Sequence, residues 1–291
     1  MEYWKKQLAD APKALLVPTD RPPPAARTFR RAREELRMPA SLVRELHALG
    51  RRQNVTPFMT LLGAWATLLH RYSGQDDLLI RTPFANRNRV EVEDLIGSFS
   101  NVLVLRHDLS GDPPFAELLR RVRETTVDAF SHGELPFKKL REELDLTVWV
   151  AFTLGNTPSS NLKLDGLQIE EIEIPYGGTS PFLTLRMLEG DDGLMARLAY
   201  NPDLFEAATA ARMLEHLRTL LESVVADPEQ RISELPLPAK AERPSAAGIA
   251  AAARRRRRPI RFRKRLRRVV RRARKAAIRL RARIKTSPFF R

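Results

Sequence analysis

Apolar positions recur with helical spacing along much of the chain. After Pro39-Ala40-Ser41, residues Leu42, Val43, Leu46 and Leu49 fall on one side of a helix. Thr56-Pro57 opens a second helix through Leu69, with threonine as N-cap and proline at the first helical position. Gly111-Asp112-Pro113-Pro114 precedes a third, with Phe115, Leu118, Leu119, Val122 and Val127 expected on one face, and Pro136-Phe137 starts a short fourth. A long amphipathic helix is expected from Ala207 to Val225. Between these, the segments DLLIRTPF (77–84), NVLVLRHD (101–108), TVWVAFTL (147–154), LQIEEIEI (167–174), PFLTLRML (181–188) and GLMARLAY (193–200) read as strands. In the second, Val102, Val104 and Arg106 alternate with Leu103, Leu105 and His107. The run Glu189-Gly190-Asp191-Asp192-Gly193 joins the last two strands as a hairpin. A short helical pattern at the start runs into PTDRPPPAARTFR, a structureless connection. Strands and helices mix without a βαβ repeat, so the fold class is α/β, a mixed sheet covered by helices.

Charge divides the chain in two. The 291 residues carry a net charge of +16, yet residues 1–250 hold 31 bases against 35 acids, a net −4, while residues 251–291 hold 20 bases and no acid. The chain has no cysteine, which removes disulfides and thiolate chemistry and fits a reducing, cytoplasmic setting. The opening residues do not read as a secretion signal, and the most apolar run, residues 57–69, is far shorter than the roughly 20 residues that span a bilayer. No phosphate-cradling glycine loop, nucleophile elbow or metal-type cluster is present. Asp191-Asp192 between glycines reads as a solvated turn rather than a cation loop.

Five stretches together resemble the C-terminal half of the condensation domain of nonribosomal peptide synthetases. They are YWKKQLADAP (3–12), the sixty residues 56–115 that include IRTPFANRNRVEVEDLIGSFSNVLVLRHD, HGELPFKKL (132–140), LAYNPDLF (198–205) and ADPEQRISELPL (226–237). The resemblance implies a chloramphenicol-acetyltransferase-like fold, of which this chain would be the C-terminal lobe. It implies amide-bond formation between substrates held as thioesters on the phosphopantetheine arms of peptidyl and aminoacyl carrier proteins, with no cofactor bound directly. The strand after IGSFSN would line the substrate tunnel, with Gly97 letting an arm approach the backbone, Phe99 beside it and Asn101 offering its amide.

The resemblance also shows what is missing. The family's His-His-x-x-x-Asp-Gly motif, which carries the candidate base, does not occur in the 291 residues. The five histidines, His47, His70, His107, His132 and His216, read as ordinary surface or half-buried residues, with His132 ordering the turn before Pro136. No catalytic residue is assigned. The family usually carries Gln-Asp where this chain has Gly133-Glu134, and a longer segment with an Arg-Asp-x-Ser-x-Asn-Pro-type motif where this chain passes from LREELDL straight to TVWVAF. The expectation is a partial condensation domain, a gene fragment or split piece, that does not catalyse alone and needs an N-terminal condensation lobe or adjoining adenylation domain as partner.

The expected organisation is a remnant helix and proline-rich connection from the lobe junction (1–30), the lobe (31–237), a linker (238–253) and an arginine-rich tail (254–291). Apolar residues of the tail, from Phe262 to Ile284, fall on one helical stripe surrounded by arginine. It reads as the product of a shifted reading frame, as a solvated tail, or as an arm binding nucleic acid or an anionic membrane. The last gives the alternative function, a non-catalytic scaffold with a polyanion-binding arm.

Overall fold

A threonine and a glycine set the ends of the central helix. Thr56 Oγ1 accepts a hydrogen bond from the Met59 amide at 3.3 Å, Pro57 occupies the first turn, and Gly74, in the left-handed region at φ 69°, closes the helix by donating to the His70 carbonyl. This is a computed structural model, which describes residues 1–12, 15, 17–22, 24, 30–87, 90–155, 182–190 and 192–237. The element order is α1 (Glu2–Gln7), β1 (Ala32–Pro39), α2 (Ala40–Arg52), α3 (Pro57–Ser73), β2 (Asp77–Phe84), α4 (Val90–Glu93), β3 (Asn101–Asp108), α5 (Phe115–Ser131), α6 (Phe137–Glu143), β4 (Val150–Gly155), β5 (Leu183–Gly190), β6 (Gly193–Tyr200) and α7 (Ala207–Ala226).

The strands form one sheet in the order β1-β6-β5-β4-β2-β3. Both β5 and β2 run parallel to β4, and the other neighbours are antiparallel. Alternation puts Ile80, Leu105, Phe152, Leu185 and Leu198 on one face, all fully buried, and α2, α3, α5 and α7 pack against the strands. Helix α3 is buried nearly all round, and Gly63 lets α5 come close: a Cβ there would sit 3.0 Å from Leu119 Cδ2. The segment after α7 is tied back to the body, with Ile232 and Leu235 buried and their carbonyls both bonded by Arg71 Nη1 at 2.9 Å.

The β5–β6 hairpin is as the sequence indicates, with Gly190 opposite Gly193. Gly193 is required, since at φ 124° a Cβ would lie 2.2 Å from the Met38 carbonyl of the neighbouring β1. Strand β1 itself is a departure from the sequence reading. Its residues AREELRMP carry four charges, the composition of an edge strand, and it pairs with β6 in register from Ala32 opposite Tyr200 to Pro39 opposite Gly193.

Three further readings are corrected. Val127 is 48% exposed rather than on the buried face of α5, because the stripe from Val122 continues at Thr126 and Ala129; the Thr126 hydroxyl is satisfied by the Val122 carbonyl at 2.7 Å. The strand read at 147–154 starts at Val150, and the Trp149 carbonyl accepts from Phe182 just before it. His107 and His216 are buried, not half-exposed. The strand read at 167–174, the linker 238–253 and the tail 254–291 lie outside the described residues.

Candidate substrate-tunnel wall

The strands β2 and β3 end together, with Phe84 opposite Asn101, and the chain between them makes an excursion through α4 and Gly97. Arg87 holds this loop. Its Nη1 donates to the Val92 carbonyl, its Nη2 to those of Leu95 at 2.9 Å and Gly97 at 3.1 Å, and its guanidinium lies 4.6 Å from the Phe99 ring centroid. The sequence does not single out Arg87, because these hydrogen-bond acceptors are all backbone carbonyls.

Gly97 is exposed, and a Cβ at that position would meet only Phe99 Cε2, at 3.5 Å. The backbone here is therefore approachable from outside. Phe99 is half-buried, while Val90, Leu95 and Ile96 on the same loop are 78%, 52% and 104% exposed. Three large apolar side chains on one excursion form an uncovered rim beside the glycine.

Asn101 takes a different part from the one its position implied. Its Nδ2 donates to the carbonyls of Gly133 and Leu135, both at 2.7 Å, and its Oδ1 accepts from the Phe137 amide at 3.0 Å. Both amide hydrogens are consumed, so Asn101 clamps the HGELPF turn onto β3 and has no N–H left to offer an arm. Gly133 fits under that clamp because Phe84 fills the space: a Cβ would lie 2.5 Å from Phe84 Cε1.

The same turn meets the first residues of the chain. The His132 ring stacks on Tyr3 at 3.9 Å and 5°, its Nδ1 lies 2.9 Å from the Asp128 carbonyl, and Trp4 Nε1 donates to the His132 carbonyl at 3.1 Å. Burial, with the charge of Asp128, pushes the Tyr3 hydroxyl up to about 12, so it stays neutral. Arg106 fixes the next residues, its Nη1 donating to the Gln7 and Ala9 carbonyls at 3.0 and 2.8 Å while its Nε and Nη2 grip Asp77. Three segments far apart in sequence, 3–9, 97–101 and 132–137, thus converge.

The five histidines are each buried or tied to local neighbours. His132 is built into the turn through its ring face and Nδ1. His107 is fully buried among apolar side chains, with both ring nitrogens unpartnered among the described residues, and burial lowers its pKa to about 4. Burial also lowers that of His216, whose Nδ1 lies 2.9 Å from the Tyr72 hydroxyl. His47 lies 3.2 Å from Glu189, and His70 Nδ1 is 3.0 Å from the Gln75 carbonyl. Among the described residues no group of three His, Asp or Glu could hold a metal, and no helix is long and apolar enough to cross a membrane. The connection from α6 to β4 is short and closed, with Leu146 donating to the Arg141 carbonyl and Val148 buried.

A family model described as "Condensation domain" matches residues 1–245. The chain is 43% identical over 245 residues to a linear gramicidin synthase of Brevibacillus parabrevis, covering 81% of this chain and 5% of that protein. Among solved structures, the X-domain from teicoplanin biosynthesis superposes with a TM-score of 0.73 at 29% identity, over 81% of this chain and 56% of that one. The four-domain nonribosomal peptide synthetase holo-AB3403, bound to AMP and glycine, gives 0.72 at 25% identity, over 81% of this chain and 20% of that one. The chain thus spans a small part of the synthases it matches and about half of the X-domain structure. The family match ends before the arginine-rich run and lends no support to a polyanion-binding role for residues 254–291.

Proposed function

Because the chain belongs to the condensation-domain family, we propose that it supplies the C-terminal-lobe wall of a tunnel in which an amide bond forms between two carrier-protein-bound thioester substrates. The observation that carries the reading is the convergence of segments 3–9, 97–101 and 132–137 on the Asn101 clamp. These are the stretches whose resemblance to the family is most local. In this role Gly97 gives an arm access to the backbone, Phe99 packs beside it, and Asn101 sets the height of the opposite turn.

Aminolysis needs a free amine placed against the thioester carbonyl, a stabilised oxyanion and little water. In this reading the turn held by Asn101 serves placement, and the apolar rim, once covered by a second lobe, limits water. The base or positioning histidine of the family's His-His-x-x-x-Asp-Gly motif is absent from these 291 residues and comes from sequence outside them. The partners are therefore an N-terminal lobe with that motif, carrier proteins bearing phosphopantetheine, and an adjoining adenylation domain. The setting is the cytoplasm, where such substrates are loaded.

The wall is tested with a carrier protein whose pantetheine ends in a photoreactive diazirine, irradiated with the chain and a condensation N-terminal lobe. Adducts should map to residues 95–101. Adducts confined to other surfaces, the arginine-rich tail included, would remove the tunnel assignment.

A further inference from the structure

Strand β2 carries a charge that no described acid answers. Leu78, Ile80 and Thr82 face the helices, so Arg81 faces the other side of the sheet, half-buried, opposite Val104 on β3 and Ala151 on β4. The acids on that face of the strands are already taken: Asp77 by Arg106 at 2.8 Å, Asp108 by Arg121 at 4.0 Å, and Glu35 by Arg33 and Arg197 at 3.2 and 3.0 Å. Among the described residues Arg81 has neither an ion pair nor a hydrogen-bond acceptor. Its charged neighbours are two more arginines, Arg31 ahead of β1 and Arg141 on α6, both exposed and neither paired with a described acid. Burial first, and then these two like charges, press the Arg81 guanidinium below the usual arginine value.

A second feature lies in the same row of the sheet. Ala151 is opposite Thr184 on β5, so Arg81 and Thr184 flank a single methyl group, their Cα atoms about 10 Å apart from the strand spacing. The Thr184 hydroxyl is buried and has no hydrogen-bond partner among the described residues. A half-buried cation and an orphaned hydroxyl on either side of Ala151, with two like charges acting on the cation, are costly as they stand, and one oxyanion would relieve them.

We propose that Arg81, with Arg31, Arg141 and the Thr184 hydroxyl, forms an anion site for a single oxyanion carried by the substrate arm. Two sources present that chemistry, the phosphate of phosphopantetheine and a carboxylate on the acyl group attached to it. That the anion arrives on an arm rests on the condensation reading; that the site binds an anion does not.

Calorimetric titration of the whole chain with phosphopantetheine, pantetheine and succinyl-pantetheine, at fixed salt, tests both levels. Phosphopantetheine should bind at least tenfold more tightly than pantetheine, and Arg81→Ala should abolish that difference while Arg81→Lys keeps part of it. Succinyl-pantetheine binding more tightly than both phosphopantetheine and pantetheine, with that advantage lost in Arg81→Ala, assigns the site to an acyl carboxylate; a match between the two anionic compounds shows a site open to either anion. Inorganic phosphate binding through Arg81 while neither arm compound does would keep the anion site and detach it from the condensation reading. Equal binding of every anion by wild type and Arg81→Ala would overturn the proposal, leaving the tail arginines to account for the binding. Should Arg81→Ala fail to fold by circular dichroism, the exposed Arg141→Ala serves instead, expected to weaken phosphopantetheine several-fold; no change there overturns the site equally.

Discussion

Asn101 and Phe137 are joined across a turn, the Phe137 amide donating to Asn101 Oδ1 at 3.0 Å while the same side chain donates to the Gly133 and Leu135 carbonyls. One residue thus answers three backbone groups of a turn with no regular structure of its own. Asn101→Ala leaves them unsatisfied in a part-buried place and should cost about 2 kcal/mol by urea denaturation. Asn101→Asp should cost more, since its carboxylate turns an oxygen toward two carbonyls. A neutral Asn101→Ala would mean that water replaces the clamp at no cost.

Gly133 stands where the family usually carries glutamine, and in this chain Phe84 leaves no room for a side chain there. With a Cβ at 133 placed 2.5 Å from Phe84 Cε1 and 2.9 Å from Cδ1, Gly133→Ala should destabilise by about 2 kcal/mol. The double variant Gly133→Ala with Phe84→Leu should recover at least half of that loss. Two additive losses would show that the ring is not the obstacle.

His107 makes the fold acid-sensitive. Its folded pKa of about 4 lies below the ordinary 6.5, so below pH 6.5 the unfolded chain binds a proton that the folded one refuses. The stability it allows is complete above pH 6.5 and falls as the pH drops toward 4, by about 3 kcal/mol over the window. His107→Leu, beside Leu78 and Leu105 in the same apolar layer, should flatten the stability profile between pH 6.5 and 4 and raise stability at pH 5. An unchanged acid slope would assign it to other groups, His216 first.

Much of this architecture is legible from periodicity. DLLIRTPF and NVLVLRHD read as strands with the bounds they have, and Thr56-Pro57 marked the start of α3, because a buried sheet and a capped helix write their patterns locally. The edge strand β1 did not, since a charge, Glu34, interrupts its inward positions Ala32, Leu36 and Met38, and Arg33, Glu35 and Arg37 fill the outward ones, so the alternation is diluted. Val127 misled because a valine near a buried stripe reads as part of it, whereas five residues beyond Val122 it has rotated off. The resemblance singled out Gly97, Phe99 and Asn101, of which the first two lie on the loop before β3 and Asn101 opens the strand. It did not give Asn101's bonds to Gly133, Leu135 and Phe137, which depend on a turn more than thirty residues away. Arg87 went unread for a related reason: its acceptors are backbone carbonyls, and these leave no mark on residue type.

Arg87 should hold the loop rather than the fold. Arg87→Ala removes its donors to Val92, Leu95 and Gly97 and the contact with Phe99, so amide hydrogen exchange across residues 92–99 should rise at least tenfold. Exchange in β2 and β3 should change little. Acceleration spread evenly through the sheet would make Arg87 a determinant of global stability instead.

The central claim is that this chain is a wall that works only with a histidine-bearing lobe. It is tested most directly by incubating a donor-loaded and an acceptor-loaded carrier protein with the chain, with a separately produced condensation N-terminal lobe, and with both, reading carrier-bound product by intact mass. The account predicts amide product from the pair, none from either alone, and none when the second histidine of the lobe's motif is replaced by alanine. Amide product from the 291-residue chain by itself would contradict it.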